Sequence, residues 1–151
     1  MIYCSPIGTL ELAFDCDRLC ALRFPSVLSA SASQSLNDCE VVRWLDLYFG
    51  GYEPDFLPQL AVHGTHFQEK VWRSLMEVPY GQTITYGELA RRVGCRSAQA
   101  VGQAVGRNPV AIIIPCHRVV AATGIGGYAY GVDVKRRLLE LERQSGNRME
   151  E

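Results

Sequence analysis

The apolar positions of this chain change their period part-way along. Leu10, Leu12 and Phe14 alternate with more polar or small neighbours, and Leu19, Leu22 and Phe24 follow after a polar turn over residues 15–18. With turn chemistry at Ser5-Pro6-Ile7-Gly8, residues 1–24 are predicted to form short strands, a hairpin or the start of a meander. Residues 25–37, rich in Ser and Ala, read as a loop. A helix is predicted over 38–49, with Val41, Val42, Leu45, Leu47, Tyr48 and Phe49 apolar behind an Asn37 or Asp38 cap, and Gly50-Gly51 stops it. Residues 52–65, with Pro54 and Pro58, read as extended, with room for one more strand, and as the connection between two subdomains.

From Thr65 onward the spacing is helical. Phe67, Val71, Trp72, Leu75 and Met76 form an amphipathic stripe behind a Thr65 cap, and Val78-Pro79-Tyr80-Gly81 breaks it. Thr85 with Glu88 three residues on has the form of a capping box, and Gly94 closes the short helix that follows. Ser97 caps a second helix, 98–107, built largely from Ala, Gly and Val. Two short helices joined by a few residues that include a glycine have the signature of a helix-turn-helix, whose second helix reads DNA. The small residues Ala98, Ala100, Gly102, Ala104 and Gly106 fit close approach to another surface, and equally fit tight packing in a core.

Next comes the stretch with the clearest chemistry. After the Asn108-Pro109 turn, Val110 to Ile114 predicts a strand that drives into Pro115-Cys116-His117-Arg118. Pro115 has no N–H for a ladder and ends the strand, placing Cys116 at the lip of a rigid element. A thiol becomes a nucleophile when ionised, which a neighbouring His, Arg or helix N-terminus can bring about. His117 reads as a base or as a satisfied structural histidine; both stand at this point. Residues 123–131, with four glycines and Tyr128 and Tyr130, make a loop of tight backbone and flat aromatic faces, without the Gly-Lys-Ser/Thr of a phosphate loop. A last helix over 132–143 precedes a polar tail, and on its surface Glu142 reads as a solvated charge.

Composition narrows the class. At 151 residues, 48% apolar and 21% charged, the chain suits a globular protein with a real core, as one domain or a small subdomain joined to a second. No stretch approaches the roughly 20 apolar residues of a membrane span, and the first six residues lack the basic start of a secretory signal, so the expected home is the cytosol. Residues 1–65 carry eight acids against three arginines, a balance of −5, whereas residues 66–151 carry twelve Lys/Arg against eight acids, a balance of +4. The asymmetry points to nucleic acid on the C-terminal side, although scattered solvated charge gives the same sum. The six cysteines are irregularly spaced, so all but Cys116 read as structural thiols. Cys16 and Cys20 could pair across a tight hairpin. A zinc site would need more ligands than these two and distant His63 or His66 supply, so no metal is expected.

The motifs together resemble the O6-alkylguanine-DNA alkyltransferases. The resemblance rests on Pro115-Cys116-His117-Arg118-Val119 after Asn108-Pro109, on the Gly-Tyr loop, and on Lys135, Leu138, Leu139 and Glu142 at family spacing. It rests equally on Phe67-Gln68, Val71-Trp72 and residues 78–90 from Val78-Pro79-Tyr80-Gly81 to Leu89-Ala90. It is close over 65–142; residues before that fit in size and element order only. The implied fold class is α+β, with an N-terminal ribonuclease-H-like α/β subdomain over 1–62 and a C-terminal winged-helix (helix-turn-helix) alkyltransferase domain over 63–151. The implied activity is direct-reversal repair. Double-stranded DNA is bound, an O6-alkylguanine is flipped out (with O4-alkylthymine as a second candidate), and the alkyl group passes irreversibly to Cys116 in one stoichiometric turnover without a cofactor. A monomer that needs no protein partner is expected.

Carried over by position, Cys116 is the nucleophile, His117 the base through a water, and Glu142 the group that orients the imidazole. Asn108 braces the turn near the cysteine, and Tyr86 donates to the departing guanine. Tyr128, with Ala129 and Tyr130, lines the base pocket; Lys135 and Val119 lie near it. Ala98, Gln99, Ala100 and Arg107 face DNA from the recognition helix, and Arg118 holds the loop through an ion pair. Two departures stand out. Gln99 occupies the place of the family's intercalating arginine, and Tyr130 adds bulk where many relatives carry glycine. Two other classes remain for comparison: a lesion-binding protein without catalysis, whose relatives lack the cysteine, and a thiol hydrolase or redox protein, for which no acyl site or resolving cysteine is evident.

Overall fold

Cys16 and Asp17 both adopt left-handed backbone, φ 49° and 68°, and close a two-residue hairpin turn. In the computed structural model, which describes residues 1–25 and 39–149 with side chains in the last helix to residue 144, this hairpin joins β2 (Gly8–Asp15) to β3 (Arg18–Arg23). With β1 (Ile2–Ser5) they form an antiparallel sheet of order β1-β2-β3. The register slips between Ala13 and Phe14, so Cys20 has no partner across the ladder. Cys16 and Cys20 are both free thiols, one in the turn and one in the bulge, and the pairing considered from sequence does not form.

The first helix, α1 (Glu40–Phe49), lays Val41, Trp44, Leu45 and Tyr48 on the core. Cys39 is its N-cap, with no side-chain cap bond. All but the first residue of the loop expected over 25–37, and the Asn37 or Asp38 cap, lie outside the described residues. Residues 52–65 are extended but form no strand, touching the sheet through one isolated bridge, Leu19 to Leu60.

The remaining helices begin where local chemistry places them. Thr65 and Gln68 make a reciprocal capping box at α2 (His66–Leu75). Thr85 accepts from the Glu88 amide at α3 (Tyr86–Arg92), while the Glu88 carboxylate takes the Thr85 hydroxyl rather than its amide. Ser97 accepts from the Ala100 amide at α4 (Ala98–Gly106). Each such cap is worth about 1 kcal/mol. Gly94, at φ 71°, turns the chain from α3 toward α4 in a conformation that side chains avoid. The indole of Trp72 donates to the Ala104 carbonyl (2.9 Å), pinning α2 onto α4.

Two expectations are corrected here. Residues 110–114 are not a strand. Only Val110 bridges to Leu22; the chain then coils, with Ile113 and Ile114 amides bonding back to the Ala111 and Val110 carbonyls. Ile112 sits at φ 71°, a left-handed conformation costing a β-branched residue about 1–3 kcal/mol. The run is apolar because it crosses the centre of the core, all of Val110 to Val119 being buried. A short apolar run cannot distinguish a strand from other fully buried chain. It leads into a 3-10 turn (Cys116–Arg118) and then β5 (Val119–Val120), which pairs in parallel with β4 (Ile84–Thr85). The second correction is the C-terminal helix, α5, which runs Val132–Met149 and so continues past Arg143. The surface pairs Arg143 to Glu140 and Gln144 to Glu140 link its third turn to its fourth and support that continuation. Among the described residues, no helix is long and apolar enough to cross a membrane.

Candidate active site

The coil before Cys116 has little regular hydrogen bonding, so a side chain holds it. Asn108 donates from Nδ2 to the Ile114 carbonyl (2.8 Å) and accepts at Oδ1 from the Val110 amide (3.0 Å). One buried amide thus ties both ends of the coil and stands beside the thiol. Cys116 lies at the base of a cavity of about 250 Å³. On one side are Gly102, Val105 and Gly106 of α4, and on the other Gly127 to Tyr130 of the glycine-rich loop, with Tyr86 between.

Loop and pocket are tied by close approach. Gly126 adopts φ 75°, and a Cβ there would come within 3.1 Å of the Ala121 amide and 3.4 Å of the Tyr86 ring. A side chain there is strained by the backbone and crowds both neighbours. Lys135, fully buried on α5, donates from Nζ to the carbonyls of Val119 (2.6 Å) and Gly127 (3.0 Å) and so joins β5 to the loop. Tyr130 packs on Phe24 from the end of β3 and on Tyr128.

Behind the cysteine is a closed ionic cluster. Glu142 is buried, contrary to its reading as a solvated charge, because the helix face that carries it packs on the 3-10 turn. Its Oε2 accepts from His117 Nε2 and from the Tyr48 hydroxyl (2.6 Å). Its Oε1 accepts from Arg118 Nε (2.8 Å) and the Gly81 amide (3.1 Å). Arg118 also donates to the Val78 carbonyl (2.9 Å) and lies over the Tyr80 ring, as expected of a side chain that holds this loop by an ion pair. Burial alone would raise the Glu142 carboxyl, but His117 and Arg118 override it and hold it at about 2. Glu142 is therefore an anion at neutral pH. Burial lowers His117, and the pull of Glu142 opposes this without cancelling it, so the imidazole is neutral. With Nε2–H given to the carboxylate, the lone pair lies on Nδ1, which is buried and makes no hydrogen bond among the described residues.

The thiol itself is raised by burial, while Asn108, Tyr128, its own backbone and Lys135 pull the other way. It rests protonated and needs a base. Tyr86, half-buried, is raised by burial and by Cys116, so its phenol stays a donor. The arrangement sets a thiol and a phenol donor on one cavity, with a neutral imidazole held by an anion behind the thiol. Among the described residues no cluster of His, Cys, Asp and Glu suits a metal ion.

A family model described as "6-O-methylguanine DNA methyltransferase, DNA binding domain" matches residues 66–144, more than half of the chain. The methylated-DNA–protein-cysteine methyltransferase of Methanosarcina acetivorans is 42% identical over 152 residues, covering 93% of this chain and 96% of that protein. The chain belongs to this family. A crystal structure of the Mycobacterium tuberculosis O6-methylguanine methyltransferase superposes with a TM-score of 0.83 at 42% identity, covering 95% of this chain and 92% of that one. A second crystal structure from that organism, in complex with DNA, has the same identity and coverage and a TM-score of 0.84.

Against the family pattern, the structure brings Cys116, Asn108, Tyr86, Tyr128, Ala129 and Tyr130 to one cavity, with His117 and Glu142 directly behind. Ala98 and Gln99 are exposed at the start of α4, Ala100 is half-buried, and Arg107 caps the far end, facing a separate cleft toward the start of α2. The Val119 side chain is fully buried beside the β4–β5 pairing and does not line the cavity, while its carbonyl serves Lys135. Lys135 likewise braces the pocket from behind. Sequence reasoning missed Gly81 and Tyr48. Gly81 reads in the sequence only as part of a helix-breaking motif, and the bond from its amide to Glu142 is a backbone contact made across 61 positions. Tyr48 had a signal, a tyrosine on the buried face of a helix, where a hydroxyl usually has a partner.

Proposed function

We propose that this chain repairs DNA by direct reversal, transferring the alkyl group of an extruded O6-alkylguanine to Cys116. The observation that carries the reading is Cys116 at the base of a cavity walled by α4, with the neutral His117 and anionic Glu142 behind it. In one displacement, Cys116 Sγ bonds to the alkyl carbon as its bond to O6 breaks, and the electron pair returns to the guanine. The thiol proton passes through a water to Nδ1 of His117, and Glu142 supports the imidazolium that forms. Tyr86 donates to the leaving base as charge builds on it. The thioether is stable, so each molecule acts once and no cofactor takes part. O4-alkylthymine is a second substrate under the same chemistry.

In this reading α3 and α4 are the helix-turn-helix, with Ala98, Gln99, Ala100 and Arg107 toward DNA, in a winged-helix domain over 63–151 that follows a ribonuclease-H-like subdomain over 1–62. The protein acts as a monomer in the cytosol. Mixing it with duplex carrying O6-methylguanine and measuring its mass tests the proposal: a gain of one methyl on Cys116 is expected, and repeated turnover with no lasting modification would replace it with a hydrolase.

Two substitutions probe the departures from the family pattern. Gln99 is exposed at the first turn of α4 and carries no charge. Gln99→Arg should tighten DNA binding by about one phosphate-type contact and speed repair; equal rates for the two proteins would refute this. Tyr130 narrows the cavity from the loop side, held by Phe24 and Tyr128. Tyr130→Gly should raise the rate on O6-benzylguanine relative to O6-methylguanine by about tenfold, and an unchanged ratio would rule the role out.

A further inference from the structure

A carboxylate offers about four lone-pair directions, and in Glu142 each oxygen receives two donors. Arg118 and Gly81 take Oε1; His117 and Tyr48 take Oε2. Three of the four come from residues 81–118, close in the chain to the cysteine or to the segment packed on it. Tyr48 does not. It lies 94 positions from Glu142, on α1, fully buried between Trp44, with rings 5.3 Å apart and nearly parallel, and the edges of Phe49 and Tyr80. Its hydroxyl has no freedom to point elsewhere without being stranded in the core, at a cost of several-fold to a hundredfold in folding equilibrium.

We infer that Tyr48 is a positioning residue for the alkyl-transfer reaction, donating to the oxygen of Glu142 that also receives His117 and so setting how strongly that oxygen draws the imidazole proton. The inference rests on the proposed role of Cys116. Two donors share Oε2; removing one leaves its electron density to the other. Without the phenol, Oε2 binds His117 Nε2–H more strongly and favours the imidazolium. The charged form of His117 then persists to higher pH, and the base is lost over that range. The groups that act on His117 are Glu142 and Lys135 from α5 and Arg118 beside it; those acting on Tyr48 are Glu142, Arg118 and Tyr80. A change at position 48 removes none of these groups and acts on His117 only through the oxygen of Glu142 that the two share.

The test is the pH dependence of single-turnover methyl transfer to Cys116 for wild type and Tyr48→Phe. The acid limb of the variant should move to higher pH by roughly half a unit or more, with the rates converging at alkaline pH. Fluorotyrosine at position 48, a stronger donor of the same shape, should move the limb the other way. A limb that stays in place, or a rate lowered equally at every pH, overturns the inference, since loosened packing alone would do that. If Tyr48→Phe does not fold, the fluorotyrosine protein decides alone. Wild type that takes no methyl on Cys116 would sink the proposed function instead, so the two failures are distinct.

Discussion

Cys116→Ala takes up no methyl from O6-methylguanine duplex while still binding it, because the only atoms lost are the thiol at the base of the cavity. The other cysteines make this informative. Cys4 and Cys16 are exposed, and Cys20, Cys39 and Cys95 are half-buried. They are more accessible than Cys116, so simple access predicts methyl on them. In the proposed mechanism, reactivity at Cys116 depends instead on the neutral His117 beside it and on the Asn108 bracket that holds the coil. Peptide mapping after reaction should find the wild-type methyl on Cys116 alone and none on the variant. A methyl on Cys95, or on any other cysteine of the variant at an undiminished rate, would move the nucleophile elsewhere.

The next largest effect is expected at Glu142. An amide in its place keeps the shape but brings one NH2 against donors on at least one side, since all four neighbours donate. It also leaves the Arg118 guanidinium, whose side chain is 10% exposed, without its anion. Breaking a buried ion pair in this way costs about 3–5 kcal/mol. Glu142→Gln should therefore unfold at clearly lower urea than wild type at pH 7, and its methyl-transfer rate should fall by about a hundredfold or more as His117 loses its orienting partner.

The pH dependence has a definite sign. The native carboxyl is held at about 2, below its ordinary 4.5. The stability it contributes is complete above 4.5 and is lost as pH falls from there toward 2. The gap between wild type and Glu142→Gln should shrink over that range. Urea titrations at pH 7 and pH 3 check it, and a constant gap would mean that Glu142 is not held as an anion by its partners.

Hairpin, helix starts and helix stops were legible in the sequence because their causes are local. Thr65, Thr85 and Ser97 each cap a helix through an amide three residues on, and Gly94 needs only its own φ to stop one. The helix after Arg143 was missed because an exposed polar segment lacks the apolar stripe by which a helix is read. Residues 110–114 were misread as a strand because full burial makes any short segment apolar, and Ile112 at φ 71° has no sequence signature.

The residue types of the site were legible too, because Pro115-Cys116-His117-Arg118, Asn108, Tyr86 and Glu142 are chemically specific side chains at family spacing. Their charge states were not. By itself the sequence determined which reactive side chains the chain carries and where the capped helices begin, since both depend on neighbours a few residues away. Only the tertiary structure decided that Glu142 is a buried anion, that the His117 imidazole is neutral, and that Tyr48 of α1 completes their cluster. Those outcomes depend on desolvation and on partners brought from as far as 94 positions along the chain, which no local pattern encodes.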